Sequence, residues 1–234
     1  MFWMIKSKRD VLCLAFVPVV VGILTVSGDV GTGELYGGVV FGANIRYQMF
    51  CFMLFFGRVL YTFGDFEDFF GAYGIYQVIR HGKREFLFRD SVRRIVGKVL
   101  CYQVIALFCS LVCSRLFLEN GMHFKRDFIL ELAAFWLTDL VLALGQMLVE
   151  MVAESRMAMI VSAIYFLLSL IFMDMVYFLP WGKMVLWIFL PNLAMGFRVK
   201  EYGYSFPPVY LFLLVVLAVF CLAGIRQIRK KDVL

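Results

Sequence analysis

The sequence predicts an all-α membrane protein with six transmembrane helices, and three observations carry that reading. Hydrophobic residues make up 63% of the 234-residue chain and charged residues only 17%, far from the composition of a soluble domain. Six apolar runs come close to the roughly 20 residues that a helix needs to cross the hydrocarbon core. Lysine and arginine gather at the ends of those runs, as loops facing the cytoplasm require. The net charge of +6 is therefore read as topological, with no nucleic-acid partner implied. Residues 1–234 read as one transmembrane domain.

The first span, about Val11 to Val26, follows Lys6, Lys8 and Arg9, contains Pro18 and ends in a glycine-rich stretch, Gly28 to Gly42. A cleaved signal peptide has the same outline, but retention is expected, and in either case the next helix runs from outside to inside. The second span covers about Gly42 to Phe63 and the third Ile95 to Ser114. The fourth, Phe128 to Val149, is joined by the short link Glu150 to Arg156 to the fifth, Met157 to Leu179, which makes them an antiparallel pair. The sixth, Val209 to Ile225, ends in Arg226, Arg229, Lys230 and Lys231. Of the 23 lysines and arginines, fifteen fall on the side of the amino end and seven, including Arg198, on the other, while Arg58 lies inside the second span. That bias puts both termini inside.

Two connections are too long for turns. On the outer side, Pro180 to Pro208 holds an apolar piece, Met184 to Leu190, too short to cross; it reads as an interfacial or re-entrant helix. Trp181, Trp187, Tyr202 and Tyr204 suit a headgroup-level position, either as anchors alone or as guards of an exit. On the inner side lies Asp65 to Lys98, the one substantial polar interval in the chain. From Glu67 to Arg80 it places Phe69, Phe70, Tyr73, Tyr76 and Ile79 on one helical face. After a break at His81-Gly82, Lys83, Arg84, Arg89, Arg93 and Arg94 lead into the third span.

Arg58, Asp139 and Asp174 sit inside apolar helices, with Glu131 and Glu150 nearer the ends of the fourth. A charge at the bilayer centre costs roughly 2.5 to 3.5 kcal/mol on insertion scales, so each must face protein or water. Asp139 is the first candidate partner of Arg58 and Asp174 the second. The group reads either as a polar patch lining a substrate path or as an ion pair that fixes packing.

Motifs of covalent chemistry are missing from the sequence. Gly82-Lys83 is followed by Arg84, and Gln77 stands where a phosphate-binding loop would need its first glycine. His81 and His123 are isolated, and no G-x-S-x-G elbow occurs. The six cysteines lie in or beside apolar runs without the paired spacing of a zinc site. The sequence thus carries no catalytic residues, no metal site and no cofactor site of its own.

Six spans, both ends inside, a long inner excursion after the second span and an outer re-entrant piece before the sixth resemble the permease subunit of a small bacterial type-2 ATP-binding-cassette exporter. In that family a coupling helix, a basic turn and a pre-membrane amphipathic helix follow the second span; Asp65 to Arg80, His81 to Arg84 and Glu85 to Arg94 match them in order. The family's acidic-Gly-Thr entry to the coupling helix is only loosely echoed by Glu67, Asp68, Gly71 and Tyr73. The resemblance implies a multi-pass protein of the bacterial cytoplasmic membrane, dimerising with itself or a similar permease. It also implies a separate ATPase partner that binds ATP and magnesium. Phe69, Phe70, Tyr73, Tyr76 and Ile79 would seat in a cleft of that ATPase while Arg80, Lys83 and Arg84 meet its rim. The substrate class nearest this compact size is an antimicrobial or bacteriocin-type peptide, exported or resisted. The alternative is a protein without an ATPase: a secondary carrier, or a membrane assembly or immunity factor.

Overall fold

The computed structural model describes residues 8–28, 31–69, 84–118 and 127–230, and every regular element among them is helical. In order they are α1 (Lys8–Gly28), α2 (Thr32–Gly37), α3 (Ile45–Thr62), α4 (Asp65–Phe69), α5 (Arg84–Phe117), α6 (Phe128–Glu150) and α7 (Ser155–Val176). There follow α8 (Gly182–Ile188), a 3-10 turn (Leu190–Ala194), α9 (Gly196–Glu201) and α10 (Phe206–Lys230). Six stretches are long and apolar enough to cross a membrane: Lys8–Val26, Ile45–Glu67, Glu85–Phe117, Phe128–Glu150, Ser155–Val176 and Phe206–Arg229.

The helix α6 is the axis of the bundle, packing against α5, α7 and α10 and touching α2 and α3. Its position follows from its sequence, because Ala134, Val141, Ala143, Leu144 and Met147 are buried on more than one side of the helix. Half of the apolar window of α3 is buried against 17% of that of α10, so α3 is interior and α10 peripheral. Outward-facing Leu211, Leu214, Val215, Val219 and Leu222 on α10 are what a lipid-facing helix presents.

Three stretches differ from the sequence reading. The charged lead and the third span, expected as two pieces, form one unbroken 34-residue helix, α5, about 51 Å long at 1.5 Å per residue. The reason is a continuous stripe: Leu87, Phe88, Ser91, Ile95, Val99, Tyr102 and Ala106 recur at three- and four-residue spacing and are all buried. Gly33 and Gly37, from the glycine-rich stretch after the first span, belong to the short helix α2, which buries Leu35 and Tyr36. The outer segment is not one apolar piece over Met184 to Leu190 but three short elements. Leu186, Leu193 and Val199 are fully buried there, in a cluster with Val141, Met173 and Val209 of α6, α7 and α10.

One end of the bundle gathers the first and last described turns of the chain with the roots of the polar segment. Asp10 of α1 lies beside Lys98 of α5, and Arg229 of α10 pairs with Glu85 of α5. The residues between α4 and α5 that would carry the aromatic face, Phe70, Tyr73, Tyr76, Ile79, Arg80 and Lys83, lie outside the described residues. Phe69 closes α4 and Arg84 opens α5.

Candidate functional site

Asp139, Gln146 and Glu150 are seven and four residues apart on α6, a spacing that sets them along one stripe of the helix. That stripe meets α3, which supplies Arg58 with its side chain wholly buried. Arg58 Nε donates to Asp139 Oδ1 at 2.8 Å and Nη1 to Gln146 Oε1 at 3.0 Å. Its Nη2 is buried without a hydrogen-bond partner among the described residues. The guanidinium lies 4.4 Å from the centroid of the Phe55 ring, a cation–π contact in place of hydration. Gln103 of α5 donates to the second Asp139 oxygen. Farther along, Gln146 Nε2 donates to Val59 O and to Glu150 Oε1, both at 3.3 Å, and Gly64 N donates to the same Glu150 oxygen.

The result is a chain of polar contacts from the middle of α6 to its end, with three helices contributing. At its upper end, Gln103 and Asp139 border a cavity of about 40 Å³ otherwise walled by apolar and aromatic side chains such as Leu54, Phe55, Phe135 and Phe166. A volume of that size, taken as the space open to water centres, suits a few waters, at roughly 10 to 15 Å³ each on that measure.

Asp174, the second candidate partner for Arg58, is engaged elsewhere. It pairs with Arg198 of α9 at 2.7 Å and accepts a hydrogen bond from Gln48 of α3. Arg198, counted from the sequence among the seven charges of the side opposite the amino end, is wholly buried, because α8, the 3-10 turn and α9 fold into the end of the bundle. Arg198 Nε donates to Val39 O at 2.9 Å, while Nη1 reaches Asn192 Oδ1 at 2.6 Å and Leu170 O at 3.4 Å. Burial lowers its pKa and the Asp174 carboxylate works in the opposite direction. An arginine starts so high that it stays charged regardless. Nearby, Lys200 bridges Asp127 at 2.9 Å and the wholly buried Glu131 at 2.7 Å.

At the opposite end of the bundle a third cluster holds the root of the polar segment. Lys98 Nζ of α5 donates to Asp65 Oδ1 at 2.7 Å, Tyr61 O at 3.2 Å and Asp10 Oδ1 at 3.5 Å. Ser155 of α7 donates to Glu67 of α4 at 2.5 Å. The turn from α3 into α4 passes through Gly64 at φ +72°, a conformation open to glycine and strained for other residues. Among the described residues, no three His, Cys, Asp or Glu side chains converge as a metal site would need.

Arg58 and Asp139 are therefore brought together, Asp174 is set apart from them, and the proposed docking residues 70–83 lie outside the described residues. Gln48, Gln103, Gln146, Asn192 and Arg198 were missed because only charges inside spans were weighed. A signal existed for two of them: Gln103 is a lone amide in the third apolar run, and Gln146 falls seven residues after Asp139, on the same face. No comparable signal marks Asn192 or Arg198.

Six spanning helices that enclose paired charges define a multi-pass membrane protein. The chain belongs to the family described as protein of unknown function DUF2705, whose profile matches residues 4–234. No curated protein matches it.

Proposed function

We propose that this chain is the membrane-spanning subunit of an ATP-driven, type-2 ATP-binding-cassette exporter in the bacterial cytoplasmic membrane. It works as a dimer with itself or a similar permease, with its termini and the 65–98 segment facing the cytoplasm. A separate ATPase subunit binds ATP and magnesium and drives it, and the cargo or the toxin resisted is a peptide.

The observation that carries this reading is the unbroken α5. A push delivered at Arg84 reaches Phe117 through continuous backbone hydrogen bonds, so docking-segment motion becomes span motion without a hinge. The other root of the segment supports the same reading. Asp65 and Glu67 of α4 are tied through Lys98 and Ser155 to α5 and α7, and Lys98 also holds Asp10 of α1. A displaced segment would therefore pull on several spans at once. The Arg58–Asp139 pair, with one guanidinium nitrogen lacking a hydrogen-bond partner among the described residues, supplies a polar contact between α3 and α6 able to exchange partners when those helices shift.

Tagged protein purified from its native membrane tests the proposal. A nucleotide-binding subunit should come down with it, and Phe70→Ala with Tyr73→Ala should abolish that association. A pull-down without an ATPase, or association indifferent to both changes, sinks the exporter reading. A panel of antimicrobial peptides, scored for growth with and without the gene, tests the cargo.

A further inference from the structure

Where α5 and α10 separate at the end of the bundle that collects the first and last described turns, they leave an open groove of about 440 Å³. Its floor is apolar, from Phe88 and Val92 on α5 and Cys221 and Ile225 on α10. The two walls are regular: Glu85, Arg89 and Val92 recur on one stripe of α5, and Cys221, Ile225 and Arg229 on one stripe of α10. Gly224 lets the helices meet beside the groove, since a Cβ there would come within 2.1 Å of the Phe88 ring. The crossing is thus fixed on one side while the groove stays open on the other.

The mouth of the groove is cationic and exposed. Arg89 lies over the Phe86 ring at 5.2 Å and has no carboxylate partner among the described residues. Arg229 spans the gap, with Nε 2.9 Å and Nη2 2.5 Å from Glu85 Oε1. Arg93, one turn from Arg89 on the same side of α5, is exposed as well. Along α5 Val92 lies about one turn nearer the apolar stretch than Arg89, and along α10 Ile225 and Cys221 lie about one and two turns nearer it than Arg229, so the floor runs from the arginines toward the acyl chains.

We infer that this groove is a binding site for an anionic phospholipid. Its phosphate sits between Arg89 and Arg229, and one acyl chain runs along Val92, Cys221 and Ile225. A free phosphate would leave the apolar floor wet, and a zwitterionic lipid would bring a second cation to a mouth that already has an excess of them. Charge complementarity and an apolar floor together select the anionic lipid. The site needs only a membrane-spanning chain and holds whether or not an ATPase is the partner.

Native mass spectrometry of the full chain, released from mixed phosphatidylglycerol and phosphatidylcholine vesicles, tests this. Retained phosphatidylglycerol is expected in preference to phosphatidylcholine. Arg89→Gln and Arg229→Gln should each reduce its retention about fivefold, the effect of about 1 kcal/mol per arginine near an anionic surface. Arg46→Gln, an exposed arginine at the other end of the bundle, should change nothing. Glu85→Gln separates lipid binding from mere loss of the Glu85–Arg229 pair: it breaks that pair too, yet frees Arg229 and should raise retention. Equal retention of both lipids, or Glu85→Gln lowering retention as Arg229→Gln does, overturns the assignment. So does unchanged retention in the two arginine variants.

Discussion

Two arginines among the described residues are buried completely, and they are buried in different ways. Arg198 is satisfied on every nitrogen, by two backbone carbonyls, an amide and a carboxylate drawn from three separate pieces of chain. Arg58 leans on side chains alone, Asp139 and Gln146, and keeps one nitrogen without a hydrogen-bond partner among the described residues. The first arrangement acts as a rivet, because backbone carbonyls cannot rotate away to other partners. The second can be rearranged, because carboxylate and amide side chains have alternatives within reach. A fully satisfied polar network specifies one structure, whereas a partly satisfied one tolerates change. The rivet holds α9 and the 3-10 turn to α7 and to the link between α2 and α3; the changeable pair lies between the two most interior helices.

The sharpest way to break this comparison is Arg198→Ala. It should destabilise the protein by about 3 to 5 kcal/mol, the cost of leaving buried partners without their cation, read from unfolding in detergent. Arg198→Lys should recover less than half, since one ammonium cannot serve four acceptors spread around a planar fork. Arg58→Ala follows at about 3 kcal/mol. Here the partner change matters more: Arg58→Met with Asp139→Leu should return to within about 1 kcal/mol of the parent, because replacing both members of a buried pair removes the penalty. The same treatment, Arg198→Met with Asp174→Leu, should stay strongly destabilised, since the Val39 carbonyl and the Asn192 side-chain oxygen lose their buried donor. Equal recovery in both double variants would erase the distinction between rivet and exchangeable pair.

Gln103→Leu comes next, at about 1 to 2 kcal/mol, since it leaves one oxygen of a buried carboxylate unsatisfied. Smallest of all should be Ser155→Ala, under about 1 kcal/mol for a single hydrogen bond to Glu67 at the edge of the bundle. Its interest lies in a mismatch. If α4 transmits force, Ser155→Ala should lower ATPase stimulation in the reconstituted complex more than its small effect on melting would suggest.

Much of the architecture was legible because membrane spanning is a local property. Hydropathy summed over about 20 residues does not depend on which helix lies next to which. The spans found from sequence agree with the helices to within a few residues at most ends; α5 is the exception. Its charged lead, Glu85 to Arg94, looked like a separate piece because its charges hide the buried stripe of Leu87, Phe88 and Ser91. The outer segment was the hardest to read. Its apolar residues are too few for a span, and their burial depends on a pocket formed by α6, α7 and α10.

By itself the sequence determined an all-helical, six-span chain with a charged segment at one boundary and a few charges stranded in apolar surroundings. Periodicity and hydropathy suffice for that, since both are carried by neighbouring residues along one helix. Only the tertiary structure decided the partners: Asp139 and Gln146 for Arg58, Asp174 and Asn192 for Arg198, Asp65 and Asp10 for Lys98. Spacing along a helix fixes which side chains share a face. Which face meets which, and at what depth, is set by packing between elements far apart in the chain, and the strength of a buried charge pair depends on that contact alone.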